Sequence, residues 1–235
     1  MFQVGSVQLG FAAELMPYGC PLNVAEVKND YRFENTTGGG AYYNYLSLIR
    51  TSTSNASGLG CGYNENGKLV FEQFFSVNDG KVMNHSKKLY YESGNLEMVA
   101  PMRNSHMEGI ARQYYESGKL QLEIPFKRSE IDGTLKGYYE NGKLRSELQY
   151  RKGKQEGIAK EYYESGKLRV ESQYKSDRKE GQEKIFREGG KLGITIVYKN
   201  GSPVNGQCHH SDGTTTALTE AELTNFLNNL EVTCR

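Results

Sequence analysis

The residues best equipped for chemistry lie near the C-terminus. Cys208-His209-His210 with Asp212 supplies a thiol, two imidazoles and a carboxylate, the ligand types of a transition-metal site. Adjacent histidines on a strand point to opposite faces, which makes joint ligation of one ion awkward. No metal or cofactor is therefore expected. His85 and His106 have no matching partners, and no Ser/His/Asp or Cys/His order suggests a nucleophile. The run Gly38-Gly39-Gly40 does not open a helix as a phosphate-binding loop does. An enzyme is not expected.

A second constellation recurs. The stretch Gln113-Tyr114-Tyr115-Glu116-Ser117-Gly118-Lys119-Leu120 has near-copies at 90–96, 138–144 and 162–168. Its turn glycines, Gly94, Gly118, Gly142, Gly166 and Gly190, follow one another in steps of 24 residues, and Gly109, Gly133, Gly157 and Gly181 precede four of them by nine. Such a period is the mark of a structural repeat, and a catalytic residue needs no copying at every step. In phase with this register stand Gly58 and Gly67 upstream and a shortened unit at 198–214 downstream.

Each unit reads as a β-hairpin. Asn141-Gly142 and Ser117-Gly118 are signals for a two-residue type I′ turn, in which glycine supplies positive φ. That turn pairs Tyr115 with Leu120, Gln113 with Leu122, Ala111 with Ile124 and Gly109 with Phe126. Paired residues share a face. One face then collects Leu120, Leu122, Ile124 and Phe126 with Tyr115 and Ala111. The other carries Tyr114, Tyr138, Tyr162 and Phe186, with Arg112, Lys136, Lys160 and Lys184 two residues before them and Arg145 and Arg169 alternating with Glu147 and Glu171. The spacing also sets Gly109, Gly133, Gly157 and Gly181 opposite aromatic rings. Arg103, Lys127, Arg151, Lys175 and Lys199 recur after the apolar strands, with Glu108, Asp132, Glu156 and Glu180 five residues beyond the first four. An acid and a base at the two ends of a short turn are expected to pair across it, weakly because exposed.

The fold class follows: mainly β, an elongated antiparallel meander of repeated hairpins with a short C-terminal capping helix. Residues 1–57 are read as an N-terminal cap containing a plausible strand, 58–214 as the array and 215–235 as the capping helix. Thr219 and Glu222 frame a capping box, Leu218 and Leu223 a hydrophobic staple, and Leu223, Phe226, Leu227 and Leu230 an apolar stripe.

With 37% hydrophobic and 24% charged residues, a net charge of +1 and a mean hydropathy of −0.68, the 235-residue chain has the balance of a folded protein. It offers no global electrostatic case for nucleic acid or membrane. The N-terminus MFQVGSVQLGFAAELM lacks the basic start of a signal peptide. The four cysteines flank the array, and their placement favours Cys20–Cys61 and Cys208–Cys234 disulfides among three possible pairings. Disulfides imply an oxidising compartment such as the periplasm or cell surface, the reading slightly favoured. Buried thiols in a cytoplasmic protein are the alternative.

The unit Tyr-Tyr-Glu-Asn/Ser-Gly-Lys-Leu resembles the variant MORN repeat of bacterial proteins, many of them grouped as a YwqK-type antitoxin family. The resemblance covers about 58–214 and implies a meander of hairpins that binds other proteins, a toxin among the candidates. Related arrays are associated with lipids and with self-association. The residues expected to carry binding are Tyr114, Tyr138, Tyr162, Lys136 and Lys160. The alternative is a structural or surface protein of the cell envelope that self-associates or meets lipid through the Arg103–Lys199 ladder.

Overall fold

A computed structural model describes residues 33–35, 43–50, 55–64, 66–79 and 81–227. These form one open antiparallel sheet in which successive full strands pair in chain order, closed by one short helix. The first strands are β1 (Phe33–Asn35), β2 (Tyr43–Arg50), β3 (Asn55–Tyr63), β4 (Leu69–Asn78), β5 (Lys81–Tyr90) and β6 (Leu96–Arg103). Two of them, β1 and β2, lie within 1–57 and join the same sheet, with Phe33 opposite Tyr45 and Tyr45 opposite Cys61.

The regular units follow. They comprise β7 (His106–Met107), β8 (Gly109–Tyr114), β9 (Leu120–Lys127), β10 (Glu130–Ile131), β11 (Gly133–Tyr138), β12 (Leu144–Arg151) and β13 (Lys154–Tyr162). After them come β14 (Leu168–Lys175), β15 (Arg178–Lys179), β16 (Gly181–Phe186), β17 (Leu192–Lys199), β18 (Ser202–His209), β19 (Thr215–Ala217) and the helix α1 (Glu220–Leu227). The two-residue strands β7, β10 and β15 are the first pieces of outgoing strands, each interrupted just before a bulge glycine.

The expected register holds along the strand bodies. Gly109 faces Phe126, Ala111 faces Ile124 and Gln113 faces Leu122. At the tip it changes: Tyr114, and not Tyr115, pairs with Leu120, and a bulge separates the two registers. The reason is the turn. Gly118 N–H donates to the Tyr115 carbonyl at 2.8 Å, so Glu116 and Ser117 are the central residues of a type I turn. Gly118 follows it at φ 82°, the left-handed position of a three-residue loop. The same bonds close Tyr139–Gly142 and Tyr163–Gly166. The extra residue spoils the simple alternation beyond it. Arg169, expected on the tyrosine face, is ion-paired with Glu161, which sits opposite Val170.

The two-residue type I′ turns stand at the other edge of the array. Arg128 and Ser129 (φ 51° and 65°), Lys152 and Gly153 (50° and 74°) and Ser176 and Asp177 (49° and 67°) link one hairpin to the next. Just after each comes a bulge glycine opposite a ring, as in the pairs Gly133–Tyr150 and Gly157–Tyr174. The ring is not what fills the space beside the glycine. A Cβ on Gly133, whose φ is 128°, would meet Pro125 Cβ at 3.1 Å, and one on Gly157 would meet Gln149 Oε1 at 2.1 Å.

At the C-terminal end α1 covers the apolar face. Ile194, Ile196, Tyr198, Cys208 and Leu218 form a buried cluster with Ile185 and Leu223 against it. The expected capping box is present: the Thr219 amide donates to Glu222 Oε2 at 2.8 Å, and the Glu222 amide donates to Thr219 Oγ1 at 3.3 Å. Leu218 and Leu223 both close over Gly206, the near side chains a Cβ there would strike. The Phe226 and Leu227 side chains and Leu230 lie outside the described residues.

Candidate partner-binding face

A single row crosses the sheet from the early strands to the late ones. Cross-strand pairing runs from Glu72 to Lys88, Val99, Arg112, Glu123, Lys136, Glu147, Lys160, Glu171 and Lys184. The repeat dictates this order. A base stands two residues before the first tip aromatic on each outgoing strand, and an acid stands mid-strand on the return strands β4, β9, β12 and β14. Copying the unit therefore alternates bases with acids, and Lys136 and Lys160 each stand between two acids. Ion pairs follow at 2.9 Å for Lys88–Glu72, 3.1 Å for Arg112–Glu123, 3.8 Å for Lys160–Glu171 and 3.6 Å for Lys184–Glu171. Each of the exposed pairs contributes about 0–1 kcal/mol. The row fixes side-chain position more than it stabilises the fold.

The first tip tyrosines stand beside this row. Tyr138 Oη donates to Glu123 Oε2 at 3.0 Å, and Tyr162 Oη donates to Glu147 Oε2 at 3.0 Å. Both phenols are pushed above their ordinary value, first by burial and then by these carboxylates. Lys136 stands in register between Glu123 and Glu147, and Lys160 between Glu147 and Glu171. Tyr114 differs. Val99 holds the place in the row where an acid would meet it, and its hydroxyl has no partner among the described residues. The same face exposes Ile110 at 47% and Ile158 at 45%. The five expected residues thus come together on one surface, joined by Glu123 and by these isoleucines, which the sequence reading left out. The signal for Glu123 was its recurrence with Glu147 and Glu171, three residues after each Lys-Leu. The isoleucines had no such signal, because Thr134 occupies the equivalent place between them.

The second tip tyrosines have another task. Tyr91, Tyr115, Tyr139 and Tyr163 donate their hydroxyls to the carbonyls of Tyr114, Tyr138, Tyr162 and Phe186 at 2.6–2.7 Å, each joining one unit to the next. Arg187 replaces the tyrosine in the last such link, with Nη2 donating to the His209 carbonyl at 2.7 Å.

The acids at the opposite edge do not pair across their own turns. Glu108, Asp132, Glu156 and Glu180 accept from the amides of Arg128, Lys152, Ser176 and Asn200 in the following turn, at 2.8, 3.4, 2.9 and 2.8 Å. A carboxylate that satisfies a turn amide is better placed than one facing a mobile lysine through water. None of Arg103, Lys127, Arg151, Lys175 or Lys199 forms an ion pair among the described residues.

The Cys208-His209-His210 constellation separates, as strand geometry requires. His209 Nε2 meets Thr195 Oγ1 at 3.1 Å and His210 Nε2 meets Thr216 Oγ1 at 2.9 Å, while Asp212 accepts from the Thr214 amide at 2.9 Å. His85 and His106 bond Ser76 and Ser129. No group of three potential ligands gathers among the described residues. Cys61 and Cys208 are buried. Cys20 and Cys234 lie outside the described residues.

Elsewhere a buried carboxylate belongs to the architecture. Glu183 accepts from Ser172 Oγ at 2.5 Å and from Tyr198 Oη at 3.3 Å, and pairs with Lys179. Burial and this carboxylate push the Tyr198 phenol well above its usual range.

Comparison with known proteins agrees with the repeat. The model of the MORN repeat variant matches residues 107–128, 131–152 and 155–176, three successive units. MORN repeats are in general protein- or lipid-binding modules. A search of the curated proteins returns no match. Among solved structures, one described as a crystal structure of a GtfA/B complex bound to UDP and GlcNAc is similar at 14% identity. The similarity spans 52% of this chain and 25% of that one, with a TM-score of 0.23.

Proposed function

We propose that the array is a non-catalytic protein-binding module whose partner docks on the face bearing Tyr114, Tyr138, Tyr162, Lys136 and Lys160. The observation that carries this reading is the ordering of that face: tyrosine hydroxyls held by carboxylates, charges compensated in a row, and Ile110 and Ile158 left half exposed beside them. Pre-positioned aromatic rings lose little freedom on binding, and a compensated polar row is neither sticky nor costly to cover. The three units matched to the MORN repeat variant support a binding role. Replacing Tyr114, Tyr138 and Tyr162 together with Ala leaves the second-tyrosine links intact. This variant should lose a partner that the unaltered protein retains, with its melting curve still cooperative. Undiminished capture from the folded variant refutes the surface assignment.

The finer reading, an antitoxin or immunity-type partner, rests on the resemblance of the repeat alone. Co-expression tests it: the captured partner should arrest growth alone and lose that effect with this chain.

A structural role at the cell envelope is favoured by one observation. Leu122, Ile124 and Phe126 on the opposite face are only partly buried, which leaves apolar area for a second copy. A concentration-independent monomer mass would remove that reading. The Cys20–Cys61 and Cys208–Cys234 pairing belongs to the same proposal and places the protein in an oxidising compartment. Peptide mapping without reductant decides it, and a Cys61–Cys208 cross-link would overturn it.

A further inference from the structure

The type I′ edge carries cations where the fold would be better without them. Arg151 faces Lys154 and Lys175 faces Arg178 directly across their turns, and like charges in opposed positions destabilise a hairpin. Arg128 and Lys152 occupy left-handed positions, φ 51° and 50°, that suit Asn or Gly better and that Asn104 and Asn200 fill in other turns. Most acids of this edge are engaged elsewhere: Glu108, Asp132, Glu156 and Glu180 accept turn amides, and Asp177 accepts the Gln155 amide, while Glu130 stands exposed, opposite Lys127. None of these six cations has an ion-pair partner among the described residues. The opposite edge alternates Glu116, Glu140 and Glu164 with Lys119, Lys143 and Lys167 and has no such excess.

From this geometry we infer that the edge from Arg128 to Arg178 is a docking strip for an acidic, extended segment of a partner polypeptide. Charge complementarity selects an anion, and the strip is one turn wide, which suits a chain better than a plane. Successive hairpins advance by about 10 Å, two strand spacings, and three residues of a chain extended as polyproline II, one full turn that returns the side chain to the same face, cover about 9 Å. A carboxylate at every third residue therefore meets one turn after another. The turns themselves, 127–130, 151–154 and 175–178, hold no aromatic residue, and Tyr150 and Tyr174 stand back in the flanking strands opposite Gly133 and Gly157, which disfavours base stacking along single-stranded nucleic acid. The cost of the opposed charges is then offset when the segment binds.

The test uses the full chain and a synthetic peptide with Glu at every third residue among Ser and Gly. A second peptide with all its Glu at one end serves for comparison, as do phosphatidylserine vesicles. In low salt the first peptide should bind most tightly, and affinity should fall steeply as salt rises. Changing Arg151, Lys154, Lys175 and Arg178 to Gln should weaken it roughly tenfold or more while leaving thermal stability equal or higher, because opposed charges are removed. Changing Lys119, Lys143 and Lys167 to Gln should leave it unaltered. Equal peptide binding by the Arg/Lys→Gln variant overturns the proposal. So does vesicle binding without peptide binding, which would assign the strip to a lipid surface.

Discussion

The two turn edges of the array solve one problem in two ways. Each must join neighbouring hairpins and satisfy the backbone groups that a turn leaves open. At the tip edge a type I turn with a following glycine leaves each Tyr or Phe carbonyl free, and the phenol of the preceding unit donates to it. At the other edge a type I′ turn points two amides at the preceding unit, where a carboxylate takes the first and a backbone carbonyl the second. The Ser176 amide thus goes to Glu156 and the Asp177 amide to Gln155 O at 3.0 Å. Donor side chains stitch one edge and acceptor side chains the other. The edges therefore differ in what breaks them.

The largest difference is expected at the glycines. Gly133→Val places a branched side chain at φ 128° and 3.1 Å from Pro125, and should cost about 3 kcal/mol in denaturant unfolding. Gly118→Ala at the tip, with open space around its Cβ, should cost about 1 kcal/mol. Equal losses would mean that the edges are alike. Next, Tyr139→Phe removes the hydroxyl that donates to the Tyr162 carbonyl and should cost about 1 kcal/mol by the same measurement. Glu156→Ala should cost somewhat less, because water reaches the exposed Ser176 amide. Lys152→Asn should raise stability by about 0.5 kcal/mol, since asparagine tolerates the left-handed conformation.

The smallest effect is a pH dependence to which tyrosines near both edges contribute, since the Tyr174 and Tyr198 phenols are raised as well. The Tyr91, Tyr138 and Tyr162 phenols are held above their ordinary value of 10.0, first by burial and then by neighbouring carboxylates. A raised pKa in the folded state contributes stability that is complete below the unfolded value and is lost as pH rises through the folded one. The unfolding free energy should therefore fall as pH rises above about 10, and less steeply in a Tyr138→Phe, Tyr162→Phe variant. An unchanged slope in that variant would deny that these two hydroxyls carry part of the dependence.

Much of the fold was legible because a repeated unit reports its own register. The pairs Gly109–Phe126, Ala111–Ile124 and Gln113–Leu122 follow from alternation alone. The turn type was not legible at the tips. Asn141-Gly142 fits both a type I′ turn and the end of a type I turn, and only the Gly142 amide bond to the Tyr139 carbonyl chooses. A one-residue difference in loop length then re-aims everything between the turn and the bulge, which is why Arg169 lies with Glu161. The type I′ turns were invisible for the complementary reason: Arg128-Ser129 and Ser176-Asp177 lack the glycine that announces such turns. Of the candidate face, the Tyr114, Tyr138 and Tyr162 row was visible in one unit at a time, whereas the acid–base row needs neighbouring units side by side.

By itself the sequence determined the hairpin unit, its count along the described array, the face each mid-strand residue occupies and the capped helix that follows. All of these depend on local chemistry: the period-two strand, glycine at positive φ, the reciprocal bonds of Thr219 and Glu222. Only the tertiary structure decided where each polar side chain ends. The Tyr139 hydroxyl reaches Tyr162, Glu156 reaches Ser176, and Lys160 stands between Glu147 and Glu171, all more than ten residues away. Those choices depend on which turn amides and carbonyls remain unsatisfied once the hairpins lie together, and no single unit contains that information.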